Sequence, residues 1–270
     1  MAKAYEELCF VDDFMFCKIM YENPEVCREL LSLILGKKVT SVQYPEKQKI
    51  IELTSDGKGV RLDVYLEDDT DTVYDIEMQT TVNVNLPRRS RYYQGMIDLN
   101  LISRGSDYNE LKSSYIIFIC TKDPFTLGKC KYTFVNQCVE YPKLVLGDGS
   151  IKVFLNASGD FEGLSEEFKN LMSYIASGDV KGRFVEKLDK EVRKAILHEE
   201  WRDEYMTLMM RDKQNFNEGL SLGREEGQNS LVKAITALRE GATESSLRQC
   251  FDEQTIKNAI KVLESELPTT

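Results

Sequence analysis

Val60-Arg61-Leu62-Asp63-Val64-Tyr65-Leu66, the acidic link Glu67-Asp68-Asp69-Thr70-Asp71, and Val73-Tyr74-Asp75-Ile76-Glu77-Met78-Gln79 decide the fold. Val60, Leu62, Val64 and Leu66 alternate with Arg61, Asp63 and Tyr65, and Tyr74, Ile76 and Met78 alternate with Asp75, Glu77 and Gln79. Period two on both sides of a short turn predicts a β-hairpin. With the turn centred on Thr70, Asp63 falls opposite Glu77, Arg61 opposite Gln79 and Tyr65 opposite Asp75. All six then project from one face, because strand side chains alternate. Directly opposed side chains stand roughly 5 Å apart at Cβ, where like charges destabilise a sheet. The pattern makes sense if something positive lies between the acids, either Arg61 or a divalent cation. Mg²⁺ prefers oxygen ligands and commonly takes one or two carboxylates. Asp63 and Glu77 are the candidate ligands, with the backbone carbonyl of Met78 as a third. A solvated hairpin face with a cross-strand Arg61 pair is the other reading the spacing leaves open.

Outward from the hairpin, Asn23 and Pro24 open a helix whose Leu30, Leu31, Ile34 and Leu35 recur at helical spacing and which Gly36 can close. Val39–Tyr44 and Ile50–Leu53 read as strands. Leu86–Ser103 reads as a helix with arginines at its start, and Ser114–Thr121 as a strand buried on both faces. Lys131–Cys138 and Ser150–Leu155 are further strands. This order is α/β or α+β in class. Near Asn156–Phe161 β-signals end and charged helical patterns begin, so a boundary is placed there, giving regions 1–157 and 158–270. In the second region Gly219, Gly223 and Gly227 fit either a linker over Asn217–Asn229 or a helix face that lets a partner helix approach in a homodimer. Two short amphipathic helices, near Ser230–Arg239 and Thr243–Leu263, finish the chain.

The segments Gly59–Tyr65 and Tyr74–Gln79 resemble the Rpn family of recombination-promoting nucleases and transposases, within the PD-(D/E)XK superfamily. Arg88-Arg89-Ser90-Arg91-Tyr92-Tyr93-Gln94, Gly105–Leu111 and Asp12-Asp13-Phe14-Met15-Phe16 extend the likeness, which runs from Asp12 to Asn156. The resemblance implies a restriction-endonuclease-like α/β core over 1–157, a central mixed sheet flanked by helices. The helical region 158–270 would then serve oligomerisation or DNA contact. It implies metal-dependent DNA cleavage, with Mg²⁺ or Mn²⁺ on Asp63 and Glu77. The third motif position, usually lysine in the superfamily, is Gln79 here. Glutamine orients a water by hydrogen bonds but brings no charge, so catalysis leans on the metal. Asp13, from the first helix, is the candidate for completing the metal site. Arg88, Arg89 and Arg91, with Tyr93, are the candidate phosphate contacts. A non-catalytic binding or assembly protein on the same fold is the alternative function.

Composition bounds these readings. The 270 residues carry 45 acidic against 35 basic side chains, a net charge of −10, which counts mildly against nucleic acid without excluding it, because a local basic patch matters more than the total. The seven cysteines are odd in number and lack C-x-x-C spacing, which argues against a zinc ribbon or disulfide framework and fits a reduced, cytoplasmic setting. The opening residues lack the apolar stretch of a signal peptide, and no apolar run is long enough to span a membrane. His198 is the only histidine, excluding an H-E-x-x-H zinc site, and no P-loop signature occurs.

Overall fold

The computed structural model describes residues 3–44, 50–51, 60–82 and 85–265. The chain forms two compact units, Met1–Arg202 and Asp203–Thr270.

The first unit opens with α1 (Asp13–Glu22) and α2 (Pro24–Leu35). Pro24 takes the first helical position as expected, and Gly36 ends α2 at φ 67°, a left-handed conformation natural to glycine. The Asn23 side chain does not cap α2; it donates to the Ile19 carbonyl at 3.0 Å. Six strands form one sheet in the order β1-β4-β5-β6-β8-β7: β1 (Val42–Gln43), β4 (Val64–Asp68), β5 (Val73–Gln79), β6 (Ser114–Cys120), β7 (Lys131–Phe134) and β8 (Ser150–Asn156). The middle pairs β5–β6 and β6–β8 are parallel and the outer pairs antiparallel. A separate ribbon pairs β2 (Ile50–Ile51) with β3 (Val60–Arg61). This mixed open sheet flanked by helices is the α/β architecture that the resemblance implies.

The hairpin register agrees with a turn centred on Thr70, since Tyr65 pairs with Asp75 and Val64 with Ile76. The Asp68 carboxylate builds the turn by accepting the amides of Thr70 at 2.8 Å and Thr72 at 3.1 Å. One expectation fails. Val60–Leu66 is not a single strand: it breaks at Leu62–Asp63, and Arg61 pairs with Ile50 instead of lying across from Gln79. The proposed strand through Leu53 runs outside the described residues beyond Ile51.

Alternation assigns the two faces. Tyr65, Val73, Ile116, Phe118 and Phe154 share one face and pack with Met96 and Ile97 of α3 (Leu86–Leu101). The opposite face, with Val64, Leu66, Ile76, Ile117 and Ile119 all buried, lies under α1 and α2. Beyond Asn156, α4 (Glu166–Ser177) and α5 (Arg183–Ile196) pack against those two helices. Their buried stripes, Phe168, Leu171, Met172 and Ile175 on α4 and Phe184, Val185, Leu188 and Val192 on α5, follow the 3.6-residue period. The chain then breaks between α5 and α6 (Glu199–Arg239).

The second unit holds α6 from Asp203 onward, α7 (Glu244–Leu247) and α8 (Glu253–Ser265). Ala234, Leu247, Ile256 and Ala259 are among its buried residues. The linker expected over Asn217–Asn229 is helical instead: Gly219, Gly223 and Gly227 lie within α6, flanked by the helix formers leucine, glutamate, arginine and glutamine. The separate helix expected near Ser230–Arg239 is the end of α6.

Candidate active site

Three acids gather where β4, β5 and α1 meet. Asp63 stands at the bend before β4, and its backbone N–H donates to Glu77 Oε1 at 3.1 Å. Its own carboxylate accepts the Met78 amide at 3.3 Å. Met78, expected as a carbonyl ligand, thus touches Asp63 through its N–H. From α1, Asp13 offers an exposed carboxylate, and one ligand atom each of Asp13, Cys17 and Asp63 lie within 4.8 Å of one another. The Cys17 thiol donates to the Asp63 carbonyl at 3.5 Å. Asp63, Glu77 and Asp13 are therefore brought together.

The acid face of β5 is buried. Asp75 is 0%, Glu77 1% and Gln79 9% exposed, which overturns the solvated-hairpin reading. What covers it is α3. Arg89 reaches down to form an ion pair with Glu77 Oε2, donates to Gln79 Oε1 at 3.1 Å and donates from Nε to the Tyr93 hydroxyl at 2.7 Å. Arg89 and Tyr93 sit one helical turn apart and so share a face. Arg88 and Arg91 point the other way and are exposed. The four residues proposed for DNA contact thus divide into an inward pair and an outward pair. Arg61, expected between the acids, is exposed and makes no ion pair with Asp63 or Glu77 among the described residues. Gln79 is held by Thr81 as well, its Nε2 donating to the Thr81 carbonyl and hydroxyl, both at 2.9 Å.

The electrostatics follow from burial of like charges. Burial, then repulsion from Glu77 and Asp13, pushes the Asp63 carboxyl up to about 8. Glu77 is raised by burial too, against the pull of Arg89 and the Asp63 amide. Asp75 is raised well above the usual carboxylate range: burial comes first, with both oxygens lacking a hydrogen-bond partner among the described residues, and Glu77 and Asp63 repel its charge. Burial, then the charges of Asp63 and Asp13, pushes the Cys17 thiol far up, so it stays protonated and acts as a donor. The working donors are therefore all oxygen, and with Arg89 the one cation bonded to them among the described residues, ionising them together calls for further positive charge. A hard divalent cation fits that set.

Sequence reasoning missed Asp75, Cys17 and the inward role of Arg89. Asp75 shares the alternation of Glu77 and Gln79, so its place on the face was readable, but its burial was not.

Residues 11–140 match the family described as PD-(D/E)XK nuclease family transposase. The matched span holds Asp13, Asp63, Glu77, Gln79 and the arginines of α3. No curated protein and no solved structure matches the chain. Just under half of the chain, residues 11–140, is thus similar to the PD-(D/E)XK nuclease family transposases, which supports a function of nuclease type.

Proposed function

We propose that this protein is a divalent-metal-dependent DNA endonuclease of the recombination-promoting type, hydrolysing phosphodiester bonds with Mg²⁺ or Mn²⁺. The observation that carries the reading is the convergence of Asp63, Glu77 and Asp13 beside a buried acid, Asp75, whose oxygens lack a hydrogen-bond partner among the described residues. Asp63 and Glu77 would hold the ion, with the Met78 carbonyl and Asp13 completing its ligands. When bound, such an ion lowers the pKa of a water and neutralises charge on phosphate oxygens. Gln79, anchored by Arg89 and Thr81, orients the water through its amide. The water oxygen bonds to phosphorus, the ester P–O bond breaks, and the leaving oxygen ends protonated. Arg88, Arg89 and Arg91, with Tyr93, meet the phosphates of the DNA on the α3 side. The nuclease-like domain is assigned to 1–157, with the helical region 158–270 serving assembly or DNA contact. Seven free cysteines suit a reducing compartment, and the cytoplasm is the proposed setting. No helix among the described residues is long and apolar enough to cross a membrane. A homodimer through the glycine face of α6 is compatible with this assignment, since side-chain space beside Gly219, Gly223 and Gly227 is open.

The test is cleavage of supercoiled plasmid with Mg²⁺ or Mn²⁺. Asp63→Ala and Glu77→Ala are each expected to lower the rate on the order of 100-fold or more. A calorimetric Mn²⁺ titration should show binding that Asp63→Ala removes. Cleavage that survives both substitutions sinks the site assignment, and a wild type that neither binds Mn²⁺ nor cleaves points to the non-catalytic binding protein.

A further inference from the structure

The three arginines at the start of α3 differ in what they touch. Arg88 and Arg91 are exposed. Arg89 lies over aromatic rings, its guanidinium carbon 4.9 Å from the centre of Tyr93 and 5.3 Å from that of Phe118. Its Nε–H is given to Tyr93, one hydrogen of Nη1 to Gln79 and one of Nη2 to Glu77. Each of those Nη atoms carries a second hydrogen. Neither of the second hydrogens has a partner among the described residues. The Arg89 side chain is 31% exposed, whereas that of Glu77 beneath it is 1% exposed. Arg89 therefore spans the boundary between solvent and the buried acids.

We infer that Arg89 is a catalytic residue: while it holds Glu77 and Gln79 in place, its two spare N–H groups donate to the non-bridging oxygens of the phosphate under attack. The inference rests on the nuclease reading above and deepens it. A guanidinium fork matches paired phosphate oxygens and is weakly hydrated, so little is lost when water is displaced. Three anchoring bonds and two rings already fix this one, which removes most of the ordering cost. A fixed donor aimed at charge that grows in the transition state accelerates the chemical step more than it tightens binding. Gln79 is neutral, so Arg89 is the cation bonded to the acid cluster among the described residues. Arg88 and Arg91, lacking such anchors, suit phosphates away from the reacting one.

The obvious objection is that Arg89 is only a structural counter-ion for Glu77. Steady-state cleavage with Mn²⁺ separates the two roles, comparing wild type, Arg89→Lys, Arg89→Met, the double variant Arg88→Ala/Arg91→Ala, and Asp63→Ala. Thermal melting is followed for each. Arg89→Lys keeps the charge beside Glu77 and loses the fork, so it reports even where Arg89→Met fails to fold. The expected result is a fall in kcat on the order of 100-fold for Arg89→Lys, with KM changed less than about threefold. The Arg88/Arg91 double variant should instead show its loss in KM, with a shallower salt dependence of DNA binding. A folded Arg89→Lys with kcat within about threefold of wild type overturns the inference, as does a loss confined to KM. If Asp63→Ala cleaves as well as wild type, or wild type does not cleave, the nuclease reading itself fails. Inactive Asp63→Ala beside fully active Arg89→Lys would refute the role of Arg89 alone.

Discussion

Asp75 carries a carboxyl that no hydrogen bond satisfies among the described residues, buried beside Glu77 on the face of the sheet that α3 covers. Burial and the neighbouring acids raise its proton affinity, as they raise that of Asp63 from 3.8 to about 8. Both groups thus bind protons more tightly in the folded chain than in the unfolded one. Their stabilising effect is full below the unfolded value of 3.8 and is lost as pH rises, for Asp63 toward about 8. The slope is at most about 1.4 kcal/mol per pH unit for each proton involved. In chelator, Asp75→Asn should be at least as stable as wild type at pH 8, and the stability difference between the two should shrink toward pH 5. Thermal melts of both proteins across that range check it, and a difference that grows toward acid pH would contradict it. Asp75 was visible in the sequence as a member of the polar set Asp75-x-Glu77-x-Gln79. That its face is dry was not, because no residue of the hairpin tells what packs over it.

At the scale of elements, α3 decides the site. Gln94 is buried and pins the helix to the starts of two strands: it donates to the Ser114 hydroxyl at 2.6 Å and accepts from Ser150 at 3.1 Å. Asp98, a turn later, accepts from the same amide at 2.8 Å. Gln94→Leu leaves the Ser114 hydroxyl buried without this partner and should cost about 1–3 kcal/mol, read as a lower denaturant midpoint. Because Arg89 and Tyr93 are carried on the same helix, cleavage should fall with it. Element identity was largely legible here. Val73–Gln79 and Ser114–Cys120 are strands within a residue of their expected bounds, and the Leu86 helix ends at Leu101 rather than Ser103. The failure at Val60–Leu66 has a distinct cause. The pairing of Arg61 with Ile50 draws the chain out of the hairpin at Leu62–Asp63, and the alternation of one strand carries no information about a competing partner.

At the scale of the molecule, sheet structure ends at Asn156, yet the first compact unit continues to Arg202. The reason is that α4 and α5 cover α1 and α2, with Phe168, Leu171 and Met172 on one helix and Phe184, Val185 and Leu188 on the other all buried. Tyr5 ties the beginning of the chain to the end of this layer, donating to the Ala195 carbonyl at 2.6 Å. A chain ending at Arg202 should be soluble and unfold cooperatively. One ending at Ala157 should expose the apolar faces of α1 and α2 and aggregate or melt well below it. Expression of both fragments and their melting curves test this. An equally stable 1–157 fragment would show that α4 and α5 contribute nothing to the fold.

The sequence by itself determined the hairpin, its turn, its register and the set of acids that share a face, since strand alternation and turn chemistry are local and operate within a few residues. Only the tertiary structure decided the rest: which face is buried, that Arg89 rather than Arg61 meets Glu77, and that Asp13 and Cys17 arrive beside Asp63 from α1. Those contacts join residues distant in sequence, Cys17 and Asp63 being 46 positions apart. They depend on how helices pack across the sheet, which periodicity within any one segment does not encode.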